Sequence, residues 1–233
     1  MTEPGGNWWA LLQFADSAFP TGGFAYSYGL ETVVQEGAIH DLESAREWLF
    51  TFLSRGWAST DGAVTAIAWG ALAAGNGDLG LVASADERLT ASRVARESRA
   101  GALQTGRRLL LESARLTGDP HLQTYRQWAV APSALGNPAA VMGMLGAVSG
   151  WSRAVTVAAS GFQTANALVT ALVKLVPLGQ SAGQSLLYEL APVVMGVANR
   201  LTSPSLEEIG QVVPQTDIAA MRHERLYSRV FRS

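Results

Sequence analysis

Residues 137–201 read NPAAVMGMLGAVSGWSRAVTVAASGFQTANALVTALVKLVPLGQSAGQSLLYELAPVVMGVANRL, and this stretch decides the fold. It opens on Asn137-Pro138, an N-cap residue followed by proline at the first helical position, and predicts a helix to Gly150. Ser152 caps a second helix over about 153–176. Pro177 stops it, because proline cannot continue the hydrogen-bond ladder. A third helix runs from Gln180 to Leu201. Residues 127–188 carry only Arg153 and Lys174 as charges, and helices apolar all round are buried. Two burials fit: a central core hairpin, or an interface between subunits.

The same pattern extends outward. Helices are predicted from Trp8 to about Asp16 behind Asn7, and over Ala25–Glu36, closed by Gly37. Asp41 caps a helix to about Trp57, in which Leu42, Ala45, Leu49 and Phe52 form one stripe. Another starts at Thr60 or Asp61 and ends before Gly75. Two helices fill 79–116, a short one fills 120–130, and a last one opens at Thr216 or Asp217. No segment sustains the period-two alternation of a strand. The expected architecture is all-α, one domain over 1–233, a bundle of about ten helices.

Of the 233 residues, 48% are hydrophobic and 15% charged, against about 25% charged in an average domain. Such a chain has ample apolar surface to offset its chain entropy, which excludes disorder. With no cysteine, disulfides, Cys-ligated zinc, iron–sulfur sites and thiol nucleophiles are excluded. His40, His121 and His223 lie far apart, so no metal site and no bound cofactor are expected. The net charge of −2 divides into −7 over 1–85, +5 over 86–188 and zero over 189–233. Opposed halves fit protein partners better than nucleic acid, which wants a concentrated basic face. The N-terminus MTEPGGNWWALL lacks a signal-peptide pattern. The uncharged runs 127–152 and 154–173 are broken by polar residues. The expectation is a cytoplasmic protein with no membrane span.

Three segments stand out. The first, FPTGGFAYSYGLE over 19–31, holds Pro20, Gly22, Gly23, Phe24, Tyr26, Ser27, Gly29 and Glu31. No Gly-Lys-Ser/Thr follows the glycines, so it is not a phosphate loop. Ala25-x-Ser27-x-Gly29 is a degenerate nucleophile elbow, which needs a preceding strand; a helical hydrolase using Ser27 is the enzymatic alternative. The simpler reading is a tight turn in which Gly22 and Gly23 supply unusual backbone angles and aromatic side chains lock two helices.

The second, LVKLVPLGQ over 172–180, holds Lys174, the only lysine against sixteen arginines. A cation there supports a helix C-terminus, or contacts a partner together with Pro177, Gly179 and Gln180. In the third, Arg222, Arg225, Arg229 and Arg232 recur at spacings of 3, 4 and 3, which places them on one helical face. His223, Leu226, Tyr227 and Val230 form an adjacent, mostly apolar face, and Phe231-Arg232-Ser233 ends the chain. This reads as a docking helix over 217–233 for an acidic partner. No motif pairs a base with a nucleophile, so no catalytic set is expected.

Taken together, LLQFADSAFPTGGFAYSYGLE, LVKLVPLGQSAGQSLL and RHERLYSRVFRS resemble, in order and spacing, the motifs of the urease accessory protein UreF family. Arg99, Gln104, Gly106 and Arg107 add a weaker match. The chain departs from the family pattern at Gly101, Asn137, Ala167 and Leu168. The resemblance implies an all-α, homodimeric accessory protein without enzymatic activity. It would bridge the nickel-carrying GTPase UreG and the accessory protein UreD (also called UreH), modulate the GTPase, and help form a passage that brings nickel to apo-urease. It implies partner contacts at Lys174, Pro177, Gly179 and Gln180, and at Arg222, Arg225, Tyr227, Arg229, Phe231, Arg232 and Ser233. A helical interaction module without urease ties is the remaining alternative.

Overall fold

The computed structural model describes residues 7–23, 26–75, 77–210 and 212–232, and among these it is helical with no strand. The α-helices are α1 (Trp8–Ala15), α2 (Leu30–Gln35), α3 (Leu42–Thr51), α4 (Ala63–Ala73), α5 (Leu79–Ser92), α6 (Arg96–Thr117), α7 (Pro120–Trp128), α8 (Pro138–Val148), α9 (Arg153–Leu175), α10 (Gln180–Arg200) and α11 (Pro214–His223). A π-helical segment, Phe52–Gly62, joins α3 to α4, so Leu42–Ala73 is one continuous rod. A short 3-10 turn covers Leu206–Glu208.

Five of the eleven described α-helices start at a side chain that accepts an orphan backbone N–H. Asn7 takes the Ala10 N–H at 3.0 Å, and Asp41 forms a capping box with Ser44. Asp78 caps α5, Asp119 caps α7 and Ser152 caps α9. At the far end of α9, Val176 turns extended before Pro177, as steric conflict with a following proline requires.

Four boundaries differ from the sequence expectation. Helix α2 begins at Leu30 rather than Ala25, because Tyr28 and Gly29 have φ of 54° and 85°, which no right-handed helix accepts. No new helix starts at Thr60 or Asp61; the chain runs through as π-helix. Asn137 precedes α8 but makes no cap bond. Its Nδ2 donates instead to Asp86 Oδ1 at 2.6 Å and Thr90 Oγ1 at 2.7 Å. The last helix starts at Pro214 and stops at His223.

The helices enclose two apolar cores. The first gathers Phe14, Leu89, Leu110, Tyr125, Met142 and Leu145 around α8, whose residues 139–146 are all buried. The second gathers Leu30, Leu49, Leu53, Trp57, Leu168, Leu172 and Leu190 around the α9–α10 hairpin. The uncharged stretch 127–188 is therefore core-forming along α8 and the inner faces of α9 and α10. Among the described residues only α9 is long and apolar enough to cross a membrane, and 56% of its most apolar window is buried within the protein.

Helix α8 lies close against α4 because Gly143 has no side chain there. A Cβ on Gly143 would stand 2.7 Å from Ala68 Cβ, 3.0 Å from the Trp69 nitrogen, and against the Thr65 carbonyl. Gly143→Ala is expected to destabilise the protein by about 1–3 kcal/mol through overpacking, measured by denaturant unfolding. An unchanged midpoint would show that the α4–α8 contact yields freely.

Candidate functional site

The 19–31 segment is folded by local backbone needs. Gly22 has φ 77° and Gly29 has φ 85°, while Gly23 has no positive φ and only Thr21 Oγ1, at 3.5 Å, near its Cβ direction. The strained angles thus sit at Gly22 and Gly29, not at the Gly22-Gly23 pair. A Cβ on Gly29 would stand 2.7 Å from the Ala220 nitrogen, so the bare glycine lets α11 close onto the start of α2. Pro20 is exposed on the turn. Phe24 lies outside the described residues. Tyr26 is buried and its hydroxyl donates to Gln104 Oε1 at 2.8 Å. Its ring lies over Gly101, where any Cβ would meet it. Ser27 is fully buried and its Oγ accepts the Glu31 N–H at 3.4 Å. With no exposure, and no strand among the described residues, this serine is a helix-start group and not a presented nucleophile.

Glu31, next along the segment, is the centre of the site. Its carboxylate is buried and accepts the Val230 N–H at 2.7 Å, the Phe231 N–H at 3.0 Å and His223 Nε2 at 3.1 Å. His223 Nδ1 faces Glu97 Oε2 at 2.9 Å, and Glu97 Oε1 accepts from Arg229 at 2.9 Å. Both ring nitrogens of the buried His223 thus lie within hydrogen-bond distance of carboxylate oxygens, one from α2 and one from α6. Burial pushes the Glu97 carboxyl up, but hydrogen bonds from His223 and Arg229 outweigh it and hold the group below its ordinary range.

These bonds overturn the expected docking helix over 217–233. After His223 the chain leaves the helix, and residues 224–232 fold back across α2 and α6. Arg222, Arg225, Arg229 and Arg232 consequently share no helical face. Arg222 pairs with Glu36 at 3.0 Å, Arg229 with Glu97, and Gln35 Nε2 donates to the Ser228 carbonyl at 3.0 Å. Arg96 pairs with Glu224 at 3.3 Å. Phe231 is buried, whereas Tyr227 is fully exposed at 107% and Val230 at 67%. Ser233 lies outside the described residues.

Lys174 stands in the last turn of α9, and its Nζ sits 5.6 Å from the centre of the Phe231 ring. It therefore holds a cation–π contact as well as its place at the helix end. Pro177, Gly179 and Gln180 are exposed beside it, at the corner where α10 begins. The structure thus joins all three segments: the first supplies Glu31, the third supplies Val230 and Phe231, and the second supplies Lys174 over the Phe231 ring. The sequence gives no signal for Glu97 or for the role of His223, whose partners lie 126 and 192 positions away.

Beside this junction a cavity of about 230 Å³ lies between the two cores. Its walls include Asp16 and Phe19, Trp57 and Asp61 from the π segment, Arg93, Ser98, Thr216, Asp217 and Phe231. Asp61 pairs with Arg93 at 2.6 Å. Burial raises the Tyr28 hydroxyl's pKa against the opposing pull of Arg93. Trp57 Nε1, Ser98 Oγ and Thr216 Oγ1 are buried without a hydrogen-bond partner among the described residues. Unpartnered groups of this kind cost about 1–3 kcal/mol each when left dry, so the lining suits water or a polar guest. Long π segments are uncommon and cluster at functional sites. Among the described residues no group of three or more His, Cys, Asp or Glu side chains is arranged to hold a metal ion.

Residues 39–191 match the family model described as UreF. A urease accessory protein UreF from Actinobacillus pleuropneumoniae is 38% identical to this chain over 225 residues, covering 96% of this chain and 98% of that protein. Another, from Haemophilus influenzae, is 35% identical over 224 residues, covering 96% and 94%.

Removing Glu31 leaves His223 and two backbone N–H groups without their acceptor. Glu31→Ala is expected to cost about 3–5 kcal/mol in denaturant unfolding, and Glu31→Gln, which keeps one carbonyl acceptor, less. Because the Glu97 pKa is depressed in the folded state, its contribution is present above the ordinary carboxylate range and lost as pH falls through the depressed value. The exchange protection of the Val230 and Phe231 amides, corrected for intrinsic rate, should fall as pH drops through the depressed Glu97 value while the Leu145 amide keeps its protection. An equal loss at all three would mean that the junction is no weaker in acid than the core.

Proposed function

The chain belongs to the UreF family and its role lies in urease maturation, and from that premise we propose that it is a non-enzymatic scaffold bridging the nickel-carrying GTPase UreG and UreD (UreH). In this reading it works in the cytoplasm as a homodimer, modulates the GTPase and supports passage of nickel to apo-urease. One observation carries the reading: three segments, the first and last of them 199 to 200 positions apart at their hydrogen bonds, meet at a single corner held by the Glu31 bonds. Proteins that act through partners need such a corner to be placed by the rest of the fold while its outer groups stay exposed.

The exposed groups are of two kinds. Tyr227 and Val230 offer apolar contact, while Arg225 and Arg232 form no ion pair among the described residues. An apolar anchor ringed by unpaired guanidinium groups suits a partner with an acidic rim, the composition that hot spots favour. We assign this surface to UreD. The Lys174, Pro177, Gly179 and Gln180 corner is assigned to UreG. The cavity supports the third part of the role as a space through the fold whose lining carries the side chains of Asp16, Asp61 and Asp217 among apolar ones.

Tyr227 touches solvent and little else, so Tyr227→Ala tests docking without disturbing the Glu31 junction. Wild-type protein should co-elute with purified UreD, and Tyr227→Ala should co-elute weakly at an unchanged melting temperature. Full co-elution of the variant would remove UreD from this surface. Lys174 separates a structural from a functional role more sharply. Arginine keeps both the cation–π contact and the helix-end charge, so Lys174→Arg should leave stability unchanged. Lys174→Ala should lose about 0.5–1 kcal/mol. If the lysine contacts UreG as a compact point charge, both variants alter phosphate release by UreG in the complex, because the planar fork of arginine does not reproduce it. A turnover rate equal to wild type for both would leave Lys174 with its structural contact alone.

A further inference from the structure

The wall of the cavity nearest the Glu31 junction is made by Thr170 and Ala171 of α9, Thr216, Asp217 and Ala220 of α11, and Phe231. Five of these six belong to helices of ten residues or more. Phe231 alone belongs to a non-helical segment, and it is the last buried residue of the described chain. We propose that Phe231 is a removable stopper: seated, it closes this end of the cavity, and release of residues 224–232 opens the cavity to the corner surface. The inference deepens the reading of the cavity as a route and rests on that reading only for the identity of what passes.

The way the segment is held supports a stopper over a permanent wall. Phe231 reaches the second core, but the segment's other ties are polar. Two backbone N–H groups bind Glu31, Arg229 binds Glu97, Gln35 binds the Ser228 carbonyl, and Lys174 covers the ring from outside. Segments with few buried apolar contacts and exchangeable polar bonds open locally at lower free energy than the core. Tyr227 and Val230 stand exposed on the same segment, so whatever grips them pulls directly on the residue that closes the cavity. Thr216, whose buried hydroxyl has no hydrogen-bond partner among the described residues, lines the same cavity as Phe231.

The chain has no cysteine, so an introduced thiol is a unique reporter. Thr216→Cys places one behind the stopper, Ser98→Cys gives a second, near-isosteric reporter in the same cavity, and Ser113→Cys, in the buried part of α6, is the control. Labelling of the full chain by methyl methanethiosulfonate is followed by mass spectrometry, alone and combined with Phe231→Ala or Phe231→Leu. The cavity thiols should label slowly in the parent and at least about tenfold faster with Phe231→Ala, as expected for a local opening. Phe231→Leu should restore slow labelling by refilling the position, and the Ser113→Cys thiol should stay protected throughout. Equal rates with and without Phe231→Ala, or fast labelling already in the parent, would overturn the proposal. So would equal acceleration at Ser113→Cys, which would mean that Phe231 holds the whole fold. None of these readouts involves nickel or a partner, so a failed stopper and a failed route are told apart.

Discussion

Everything at the functional corner depends on one buried carboxylate. Glu31 accepts three hydrogen bonds from groups 192 to 200 positions away in sequence. An ionised carboxylate in an apolar setting is costly unless paired and hydrogen-bonded. That cost is what makes the arrangement specific: alternatives that leave Glu31 without its donors are heavily penalised. The bond set can form only because α11 approaches α2 at Gly29, where a side chain would collide with Ala220. The glycine and the glutamate of the same short motif therefore do separate halves of one task. Gly29 brings the elements together, and Glu31 fixes the end of the chain there.

What the sequence makes legible divides by range. Helix starts governed by a residue three positions on were readable, as Asn7, Asp41 and Ser152 show, and so was the stop at Pro177. The fold class followed from them. Where a distant partner decides, the local signal pointed the wrong way. Asn137 has the form of an N-cap, yet the buried Asp86 carboxylate claims its amide from another helix. The arginine spacing from 222 to 232 matches a helix equally well, but the chain turns back on itself, pairing Arg222 with Glu36 and Arg229 with Glu97 and leaving Arg225 and Arg232 without an ion pair among the described residues. Periodicity records only where side chains would point if a helix formed; the Glu31 bonds decide that it does not.

Two departures from the family pattern acquire a physical role in this setting. Gly101 leaves room for the Tyr26 ring, which in turn sets the tyrosine hydroxyl on Gln104. Asn137 completes the donors around Asp86, beside the Tyr125 hydroxyl at 2.7 Å and the Gly136 N–H at 2.6 Å. A larger residue at 101 would move Tyr26, and the first motif with it. A residue at 137 without an amide would remove one donor from a carboxylate that burial already pushes toward its neutral form. These positions are coupled to their neighbours, and single replacements toward the family pattern would have to bring compensating changes with them.

The polar lining of the cavity follows from topology. Helix ends meet there: α1 closes at Ala15 and Asp16, α5 at Arg93, α6 opens near Ser98, and α11 opens at Thr216 and Asp217. Helix termini carry unpaired backbone groups and the polar residues that cap them, so four of them place polar groups on a lining that is otherwise mostly apolar. The π segment adds to this by placing Asp61 where Arg93 can pair with it and, through Arg93, by steadying the break between α5 and α6, since the Arg93 carbonyl also accepts from Arg99 at 2.9 Å. The apolar part of the lining comes from both flanking cores, through Leu89 and Leu109 on one side and Trp57 and Ala171 on the other, and the C-terminal segment, tied to Glu31, adds Phe231 to it.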